Sequence, residues 1–267
     1  MNCLVIKCGG SIFEKLPKTF YEDIVSLSQA GAWTPIIVHG GGPLITNLLN
    51  SFNIETSFVN GLRVTSNAVL DVVEMVLSGV VNKQVVRHLM AAGGNAVGIS
   101  GIDGGLLMAQ PVDESEQLGF VGDVVEVNSR MIENLFIEGY IPVISPIGID
   151  SNGQRYNING DIAASAIAKA LGANLCFISD IPGIMAEQNG VKVKLDRACR
   201  TEVLEMIDNG AIWGGMIPKV KAALNGLFHN VREAAIINGL EPHSLIDYCN
   251  GLDIGTKIVL EKEIGNG

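Results

Sequence analysis

The chain has 267 residues, 48% of them hydrophobic, and its 18 basic and 28 acidic residues give a formal net charge of −10. It contains no basic tract, which argues against nucleic acid or an anionic membrane as the main partner. The mean hydropathy is +0.34, yet no apolar run is long enough to span a membrane, and we see no secretory signal before the first predicted strand.

The five cysteines indicate a reducing environment. They are odd in number and no two form a CxxC pair, which argues against a disulfide framework and against a zinc site. We therefore expect buried thiols in a cytoplasmic protein, and no metal held by protein side chains. The cysteines are Cys3, Cys8, Cys176, Cys199 and Cys249.

The first predicted strand, Leu4-Val5-Ile6-Lys7, ends in a lysine, and the glycine turn Cys8-Gly9-Gly10-Ser11 follows. A lysine at the end of a buried strand can extend its ammonium into solvent. Beside two glycines, however, we favour a cation that faces phosphate. The apolar spacing from Pro17 to Ala30 then predicts a helix.

The second predicted strand, Pro35–His39, stops at Gly40-Gly41-Gly42, and Pro43 suits the first turn of the next helix. Glycines let a backbone approach a ligand and point its N–H groups at it, while the helix N-terminus adds partial positive charge. The motif predicts an anion site, although a tight turn without a ligand fits it equally well. For His39 we expect a packing role rather than catalysis.

Asn60-Gly61 lies at the centre of a predicted hairpin over residues 58–65. Arg63 follows the turn, where a guanidinium could bind a carboxylate through two hydrogen bonds, but the residues alone favour a surface arginine. The pattern from Ser66 to Ala92 predicts one long helix, whose apolar surface is typical of a subunit interface. Its predicted buried stripe is Val69, Val72, Val73, Val76, Val80, Val85 and Leu89.

The middle of the chain predicts strands Ala96–Ser100 and Ile141–Ser145, with an irregular or hairpin segment over 106–127 and a helix Met131–Glu138 between them. Because strands and helices alternate, we predict an α/β fold with a mainly parallel sheet. Ligands bind such sheets at the carboxyl ends of the strands. The polar residues at these ends should therefore share one site: Lys7, His39, Ser100 and Ser145.

A polar hairpin over residues 148–159 leads into an alanine-rich helix, Ala163–Ala170. Asn157 and Asn159 should face the same way in an extended segment, and Asp161 should cap or begin the helix. Beyond it we predict strands over 174–179, 234–237 and 256–260, a hairpin over 186–195, a helix over 202–209 and an alanine-rich helix after Lys219.

Lys219 lies in the first turn of its predicted helix, where a lysine opposes the helix dipole unless an anion lies between them. The chain has no Walker A sequence, no GxGxxG fingerprint and no protein-kinase motif set, which argues against a nicotinamide-dependent dehydrogenase. Phosphoryl transfer needs positioning and charge neutralisation. Two lysines with Asp161 to hold them could supply both.

Five stretches of this sequence resemble the amino acid kinase family, and the resemblance covers the whole chain. The stretches are Ile6-Lys7-Cys8-Gly9-Gly10, Val38-His39-Gly40-Gly41-Gly42, Asn60-Gly61-Leu62-Arg63-Val64-Thr65, Asn157-Ile158-Asn159-Gly160-Asp161 and Gly215-Met216-Ile217-Pro218-Lys219. The third stretch resembles most specifically the members that act on N-acetyl-L-glutamate. Gly160, where alanine is usual, and Cys8, where an apolar residue is usual, depart from the pattern.

The resemblance implies an open αβα sandwich of two lobes on one continuous sheet. Residues 1–172 would bind the amino acid and form a homodimer, with the helix from Ser66 near the interface, and residues 173–267 would bind ATP. The implied activity is ATP-dependent phosphorylation of the side-chain carboxylate of N-acetyl-L-glutamate in arginine biosynthesis. Mg²⁺ would be held mainly by the phosphates.

The resemblance also implies a role for individual residues. Lys7 and Lys219 would stabilise the transferring phosphoryl group, and Asp161 would orient them. The amino acid would bind to Gly41, Gly42, Arg63, Asn157 and Asn159, with Arg63 on its α-carboxylate. ATP would contact Gly9, Gly10, Asp180, Ile181, Pro182, Gly183, Ile184, Met185, Ala211, Ile212 and Trp213.

Two alternatives stay open at this point: a kinase of a related acylated amino acid of the aminoadipate type, and a catalytically silent nucleotide-binding regulatory subunit. Arginine-inhibited members of the family carry an extra N-terminal helix that links dimers into a hexamer. Only three residues precede the first predicted strand. We therefore expect a homodimer that arginine inhibits weakly or not at all, although Pro242-His243-Ser244 and Asn250-Gly251 are similar to part of the arginine-site pattern.

Overall fold

The computed structural model describes residues 2–113, 115–188, 191–212, 217, 220–221, 223–224, 231 and 233–259. Its strands are β1 (Asn2–Cys8), β2 (Trp33–His39), β3 (Phe58–Val59), β4 (Leu62–Arg63), β5 (Ala96–Ser100), β6 (Leu107–Pro111), β7 (Val121–Val127), β8 (Ile141–Ser145), β9 (Ile147–Ile149), β10 (Arg155–Ile158), β11 (Asn174–Ser179), β12 (Met185–Gln188), β13 (Val191–Lys194), β14 (Arg197–Cys199), β15 (Ala234–Asn238) and β16 (Thr256–Val259).

The helices of the described residues lie on both faces of the main sheet. They are α1 (Lys18–Gln29), α2 (Gly42–Ser51), α3 (Asn67–Glu74), α4 (Asn82–Ala91), α5 (Ser115–Leu118), α6 (Ser129–Ile137), α7 (Gly160–Leu171), α8 (Arg200–Asp208) and α9 (Ser244–Cys249). A π-helical segment, Met75–Val81, joins α3 to α4, and short 3₁₀ turns occur at Phe13–Lys15 and Asp103–Gly105.

The main sheet has eight strands in the order β14-β16-β15-β11-β1-β2-β8-β5. Its strand pairs are parallel except for β15 with β16. Strands β1 and β2 are apolar along almost their whole length because helices cover them on both sides. One core cluster lies under α1, α2, α3, α4 and α9, and the other under α6, α7 and α8. The predicted αβα sandwich with a mainly parallel sheet is confirmed.

Alternation along the central strands decides which way the polar residues at their ends point. On β1, Val5 belongs to the cluster beneath α7, so Lys7, two residues later, faces the same layer. On β2, Ile37 belongs to the other cluster, so His39 faces α4. Lys7 and His39 thus end neighbouring strands but point to opposite faces of the sheet. The prediction that both side chains share one site was therefore wrong for His39, because two apolar strands do not show from the sequence which face each residue takes.

The long helix predicted from Ser66 is present, but it is not α-helical throughout. A π-helical turn holds one residue more than an α-helical turn, and this shifts the buried stripe by one position. Val80, predicted in the core, is 53% exposed, and Val81 is buried in its place. The prediction for Val80 was wrong because the period of a regular α-helix cannot reveal a single inserted residue.

The segment over 106–127 contains the hairpin β6–β7, which completes a small closed barrel in the strand order β10-β7-β6-β9. The hairpins predicted around Asn60-Gly61 and over 148–159 and 186–195 are also present. The barrel, β14 and α9 had not been predicted. The alanine-rich helix after Lys219 lies mostly outside the described residues, and the division into lobes 1–172 and 173–267 stays a prediction.

Candidate active site

Two glycine turns meet at the carboxyl ends of β1 and β2. The N–H of Gly40 donates to the carbonyl of Cys8 over 2.9 Å. A Cβ placed on Gly10 would lie 2.7 Å from the nitrogen of Gly42 and 2.8 Å from that of Gly41. Real Cβ atoms do not approach backbone this closely, so only glycine fits at position 10. The backbone nitrogens of Gly41 and Gly42 therefore lie on the side of their turn that faces Gly10.

The second turn is also the N-terminus of α2, with Gly41 as the N-cap and Pro43 in the first turn. No side chain of the described residues caps this helix. Backbone N–H groups without a partner at a ten-residue helix start form a natural anion site. On the other side, a Cβ on Gly41 would lie 2.8 Å from a methyl of Leu77 in the π-helical segment.

Lys7 and Asp161 form an ion pair beside these turns, with 2.6 Å between Nζ and Oδ1. Both side chains are partly exposed, at 17% and 29%. Asn159 is the cap of α7, because its Oδ1 accepts from the N–H groups of Asp161 and Ile162. Asp161 therefore does not cap the helix. It lies in the first turn, where its carboxylate is available to Lys7.

A cavity of about 200 Å³ lies between the second glycine turn, the β3–β4 hairpin and the start of α7. It brings together every residue predicted to bind the amino acid: Gly41, Gly42, Arg63, Asn157 and Asn159. The rest of its lining is mostly apolar and includes Ile45, Phe58, Leu62, Leu77, Val121, Pro146 and Ile158. A mostly apolar wall with a few convergent polar groups is typical of a site for a small molecule.

Arg63 is buried, at 6% exposure, so the sequence-based preference for a surface arginine was wrong. Its guanidinium donates to Thr56 Oγ1 (2.8 Å), Thr46 Oγ1 (2.9 Å) and the carbonyl of Gly42 (3.2 Å). It also lies 4.6 Å from the ring centre of Phe58. These partners are neutral, and no carboxylate of the described ranges forms an ion pair with Arg63. A bound carboxylate would supply the missing negative charge.

Asn157 reaches the same cavity from the barrel. Its Nδ2 donates to the hydroxyl of Thr65 over 3.2 Å, and that hydroxyl donates to the carbonyl of Arg63 over 2.7 Å. This contact fixes the barrel strand β10 against the hairpin that carries Arg63. Thr46 and Thr56 were not identified from the sequence, since nothing in their spacing distinguishes them from other threonines. Thr65 belongs to the third family stretch, but no role was predicted for it.

His39 is buried and does not reach the cavity. Burial lowers the pKa of its imidazole to about 4, so the ring is neutral at physiological pH. Both ring nitrogens have partners within the protein: Nε2 lies 3.2 Å from Asn82 Nδ2, and Nδ1 lies 3.2 Å from the carbonyl oxygen of Gly40. The predicted packing role agrees with this position.

Of the residues predicted to contact ATP, those of the segment 180–185 lie on the other side of β1. The segment Asp180–Met185 follows the carboxyl end of β11, the strand that pairs with β1. Within it, Gly183 has a φ of +148° and lies beside Thr256, whose Oγ1 accepts from the N–H of Ile184 over 2.7 Å. Gly9 lies next to the ammonium of Lys7.

Ala211 and Ile212 follow α8, and the N–H of Ile212 donates to the carbonyl of Met206 over 2.8 Å. Trp213 and Lys219 lie outside the described residues, so the roles predicted for them stay predictions. In the described ranges, no group of three or more His, Cys, Asp or Glu side chains could hold a metal ion. Each helix of those ranges is too short or too polar to cross a bilayer.

The protein has an α/β fold with a mainly parallel sheet. Glycine turns, a lysine and an aspartate lie at the carboxyl edge of this sheet, an arrangement typical of proteins that bind phosphate groups. The sequence model of the amino acid kinase family matches residues 2–238, and the chain belongs to this family. The acetylglutamate kinase of Oceanobacillus iheyensis is 45% identical over 264 residues, which are 99% of each chain. That of Geobacillus kaustophilus is 48% identical over 98% of this chain and 97% of its own.

A solved structure has the same fold. The crystal structure of the smu.665 protein from Streptococcus mutans has a TM-score of 0.81 and 30% sequence identity. The match covers 97% of this chain and 99% of that one. The similarity therefore includes both the cavity region and the strands that follow β11.

Proposed function

We propose that this protein transfers the γ-phosphoryl group of ATP to the side-chain carboxylate of N-acetyl-L-glutamate, a step of arginine biosynthesis. The products are N-acetyl-L-glutamyl 5-phosphate and ADP. Relatives that match nearly the whole chain at 45% and 48% identity bear the name acetylglutamate kinase. The observation that carries the proposal is the cavity in which a buried arginine with only neutral partners lies close to two glycine turns and a lysine.

Arg63 would bind the α-carboxylate of the amino acid. Its guanidinium is already held by three hydrogen bonds, so little side-chain entropy is lost when a carboxylate arrives. The apolar wall beside it would accept an acetyl group. A free α-ammonium would instead be buried close to a cation and among apolar side chains, which costs free energy. The cavity therefore favours the acylated amino acid over the free one.

The side-chain carboxylate would then point to the meeting place of the two glycine turns. Attack of a carboxylate oxygen on the γ-phosphorus forms the acyl-phosphate bond and breaks the bond to the β–γ bridging oxygen, which leaves with ADP. Negative charge on the transferring group needs fixed donors and cations. Lys7 and the N–H groups of Gly41 and Gly42 would supply them on the acceptor side, and Asp161 would hold Lys7 in position.

Lys219 would neutralise charge on the nucleotide side, as in the family pattern, and Mg²⁺ would enter as part of the ATP complex, bound mainly by its phosphates. Asp180–Met185 and Ala211–Trp213 would border the nucleotide. Asn157 and Asn159 would close the amino-acid site from the barrel and from α7.

We also propose a homodimer in which the interrupted helix over 67–91 forms the interface. Met75, Val80 and Met90 on this helix are 50%, 53% and 59% exposed, and exposed apolar side chains favour association when they are covered by a partner. Light scattering tests this: Met75→Glu should yield monomers. The matched change Ile137→Glu, on the distant and exposed end of α6, should leave the dimer intact. A cytoplasmic location stays a prediction.

ADP release with a panel of acceptors tests the proposed reaction. N-acetyl-L-glutamate should support ADP release, whereas free L-glutamate and acylated aminoadipate should be poor acceptors. N-acetyl-L-aspartate is one methylene shorter, so its side-chain carboxylate should not reach the glycine turns while its α-carboxylate is bound to Arg63. It should therefore release little ADP. Equal turnover of free glutamate would contradict the proposal, and preference for the aminoadipate derivative would assign a different acceptor to the same cavity.

A further inference from the structure

A buried chain of polar contacts lies behind the second glycine turn, on the face of the sheet opposite to Lys7. It runs from Lys83 through Asn82 and His39 to Gly40. Asn82 is the first residue of α4, directly after the π-helical segment, and both Asn82 and His39 are fully buried. Neither residue touches the cavity, so the proposed reaction does not yet account for them.

The chemistry of its partners fixes the orientation of the Asn82 amide. Lys83 Nζ, which can only donate, lies 3.0 Å from Oδ1. On the other side, Nδ2 lies 2.9 Å from the carbonyl oxygen of Val143 and 3.3 Å from that of Ile99, and both oxygens can only accept. The atom that faces His39 is therefore the amide nitrogen, a donor.

This orientation selects one tautomer of His39. The two hydrogens of Asn82 Nδ2 are shared among three acceptors, but an amide nitrogen does not itself accept a hydrogen bond. The Nε2 atom 3.2 Å away therefore carries a lone pair, since an Nε2–H would face a donor. The single proton of the neutral ring is then on Nδ1, which donates to the carbonyl of Gly40 over 3.2 Å. The low pKa of His39 agrees with a ring that stays neutral.

Holding the Gly40 carbonyl also orients the next N–H group. In a planar trans peptide the C=O of Gly40 and the N–H of Gly41 point in opposite directions. The carbonyl is held on the α4 side, and the nitrogen of Gly41 lies towards Gly10. The N–H of Gly41 is thereby aimed at the space between the two glycine turns.

We propose that Asn82 is a positioning residue that selects the Nδ1–H tautomer of His39 and thereby aims the Gly41 N–H at the transferring phosphoryl group. Lys83 holds the orientation of the Asn82 amide by donating to its Oδ1. Gly98 leaves room for this amide, since a Cβ on Gly98 would lie 1.9 Å from Asn82 Oδ1. The inference rests on the proposed function for its kinetic part, but the tautomer is a property of the protein alone.

Nitrogen-15 NMR of the histidine-labelled full-length protein tests the tautomer without any substrate. The sequence has four histidines, and the signals of His39 are those that disappear in His39→Gln. We expect a protonated Nδ1 and an unprotonated Nε2. In Asn82→Ala the Nε2–H form should gain population, while the matched Ser78→Ala, which removes the hydrogen bond between Ser78 and Ser145, should not change the ring.

Kinetics with two His39 variants test the consequence even if Asn82→Ala folds poorly. In His39→Asn the amide nitrogen can take the place of Nδ1 and donate to Gly40, whereas in His39→Gln the longer amide reaches Asn82 and leaves Gly40 without a donor. We expect kcat of His39→Asn to exceed that of His39→Gln by roughly fivefold, the factor given by one ordinary hydrogen bond. The KM values should change less than kcat.

Three results would overturn the inference: an Nε2–H ring in the unmodified protein, no tautomer change in Asn82→Ala, or a kcat of His39→Gln equal to or above that of His39→Asn. The last is what a packing role predicts, because glutamine fills more of the imidazole volume. Failure of the proposed function would appear differently, as absence of ADP release with the unmodified protein while the Nδ1–H tautomer is still observed.

Discussion

The two sides of β1 build their parts of the site in different ways. On the β2 side, the turn at Gly40-Gly41-Gly42 is held from behind by His39 and Leu77 and from the front by Gly10. On the β11 side, the loop Asp180–Met185 has exposed residues at Asp180 and Pro182, and Thr256 holds it through the N–H of Ile184.

The difference fits the two ligands that we propose. A small amino acid must be distinguished from its close analogues, and a cavity with one guanidinium held by hydrogen bonds suits this task. A nucleotide extends over a larger surface and can be bound by loops at the edge of the sheet. Lys7 lies on the strand between the two regions and would act where the ligands meet.

The largest expected effect is at this boundary. Lys7→Ala should lower kcat by roughly a hundredfold or more, because we propose that its ammonium stabilises charge that develops only in the transition state. Both KM values should change much less. ADP-release kinetics give the numbers, and Lys15→Ala, which removes an exposed lysine just beyond the first glycine turn, is the control. A large rise in the KM for one substrate with unchanged kcat would contradict this, because it would mean that Lys7 binds that substrate alone and does not act on the transition state.

A second expected effect belongs to the β2 side alone. Arg63→Ala should raise the KM for N-acetyl-L-glutamate by roughly ten- to a hundredfold, as a lost hydrogen-bonded charge pair implies. The KM for ATP should not change. Arg63→Lys should recover only part of the loss, since an ammonium cannot reproduce the bidentate geometry. Arg130→Ala, at an exposed position of α6, is the control for the loss of one positive charge. If Arg63→Ala raised the KM for ATP as much as that for N-acetyl-L-glutamate, the two regions would not be separate.

A third change tests the β11 side. Thr256→Val keeps the shape of a fully buried side chain but removes the hydroxyl that accepts from Ile184 and donates to Leu195. Two backbone groups then lose a partner, so we expect the free energy of unfolding to fall by about 1–3 kcal/mol and the KM for ATP to rise.

Urea unfolding and separate KM measurements check this change. Thr19→Val is the control, because the Thr19 hydroxyl has no hydrogen-bond partner among the described residues. An equal rise in the KM values for N-acetyl-L-glutamate and ATP would contradict the proposal that Thr256 supports the ATP region alone.

The smallest expected effect is at Gly160, between the cavity and Lys7. A Cβ there would lie 3.6 Å from Lys7 Cε and 3.7 Å from the carbonyl oxygen of His39, which are ordinary contacts. Gly160→Ala should therefore leave kcat within about twofold and stabilise the protein by about 0.4–1 kcal/mol. Thermal unfolding and ADP release measure both. A tenfold loss of kcat would mean that the bound amino acid needs the space above Gly160.

Much of this architecture follows from the sequence. Apolar runs predicted the central strands, and the glycines after Lys7 and His39 predicted that both strands end at a common site. These features are local, or depend only on the rule that parallel strands end at one edge.

Other features depend on contacts between distant segments. The burial of Arg63 arises because Thr46 and Gly42 lie beside the hairpin, and the small barrel pairs Asn157 of β10 with Val121 of β7. No local sequence pattern links these segments. The position of Asn82 depends on the π-helical turn before it. Residues after 212 that the structure does not describe, Lys219 among them, keep only their sequence-based roles.

Trapping the product with hydroxylamine tests the central claim most directly, because an acyl phosphate gives a stable hydroxamate. With ATP and N-acetyl-L-glutamate, we predict one hydroxamate for each ADP released, and mass spectrometric fragmentation should place it on the side-chain carboxyl carbon. In our proposal the cavity would orient the substrate in this way by holding the α-carboxylate on Arg63. A hydroxamate on the α-carboxyl carbon, or ADP without any hydroxamate, would contradict the account.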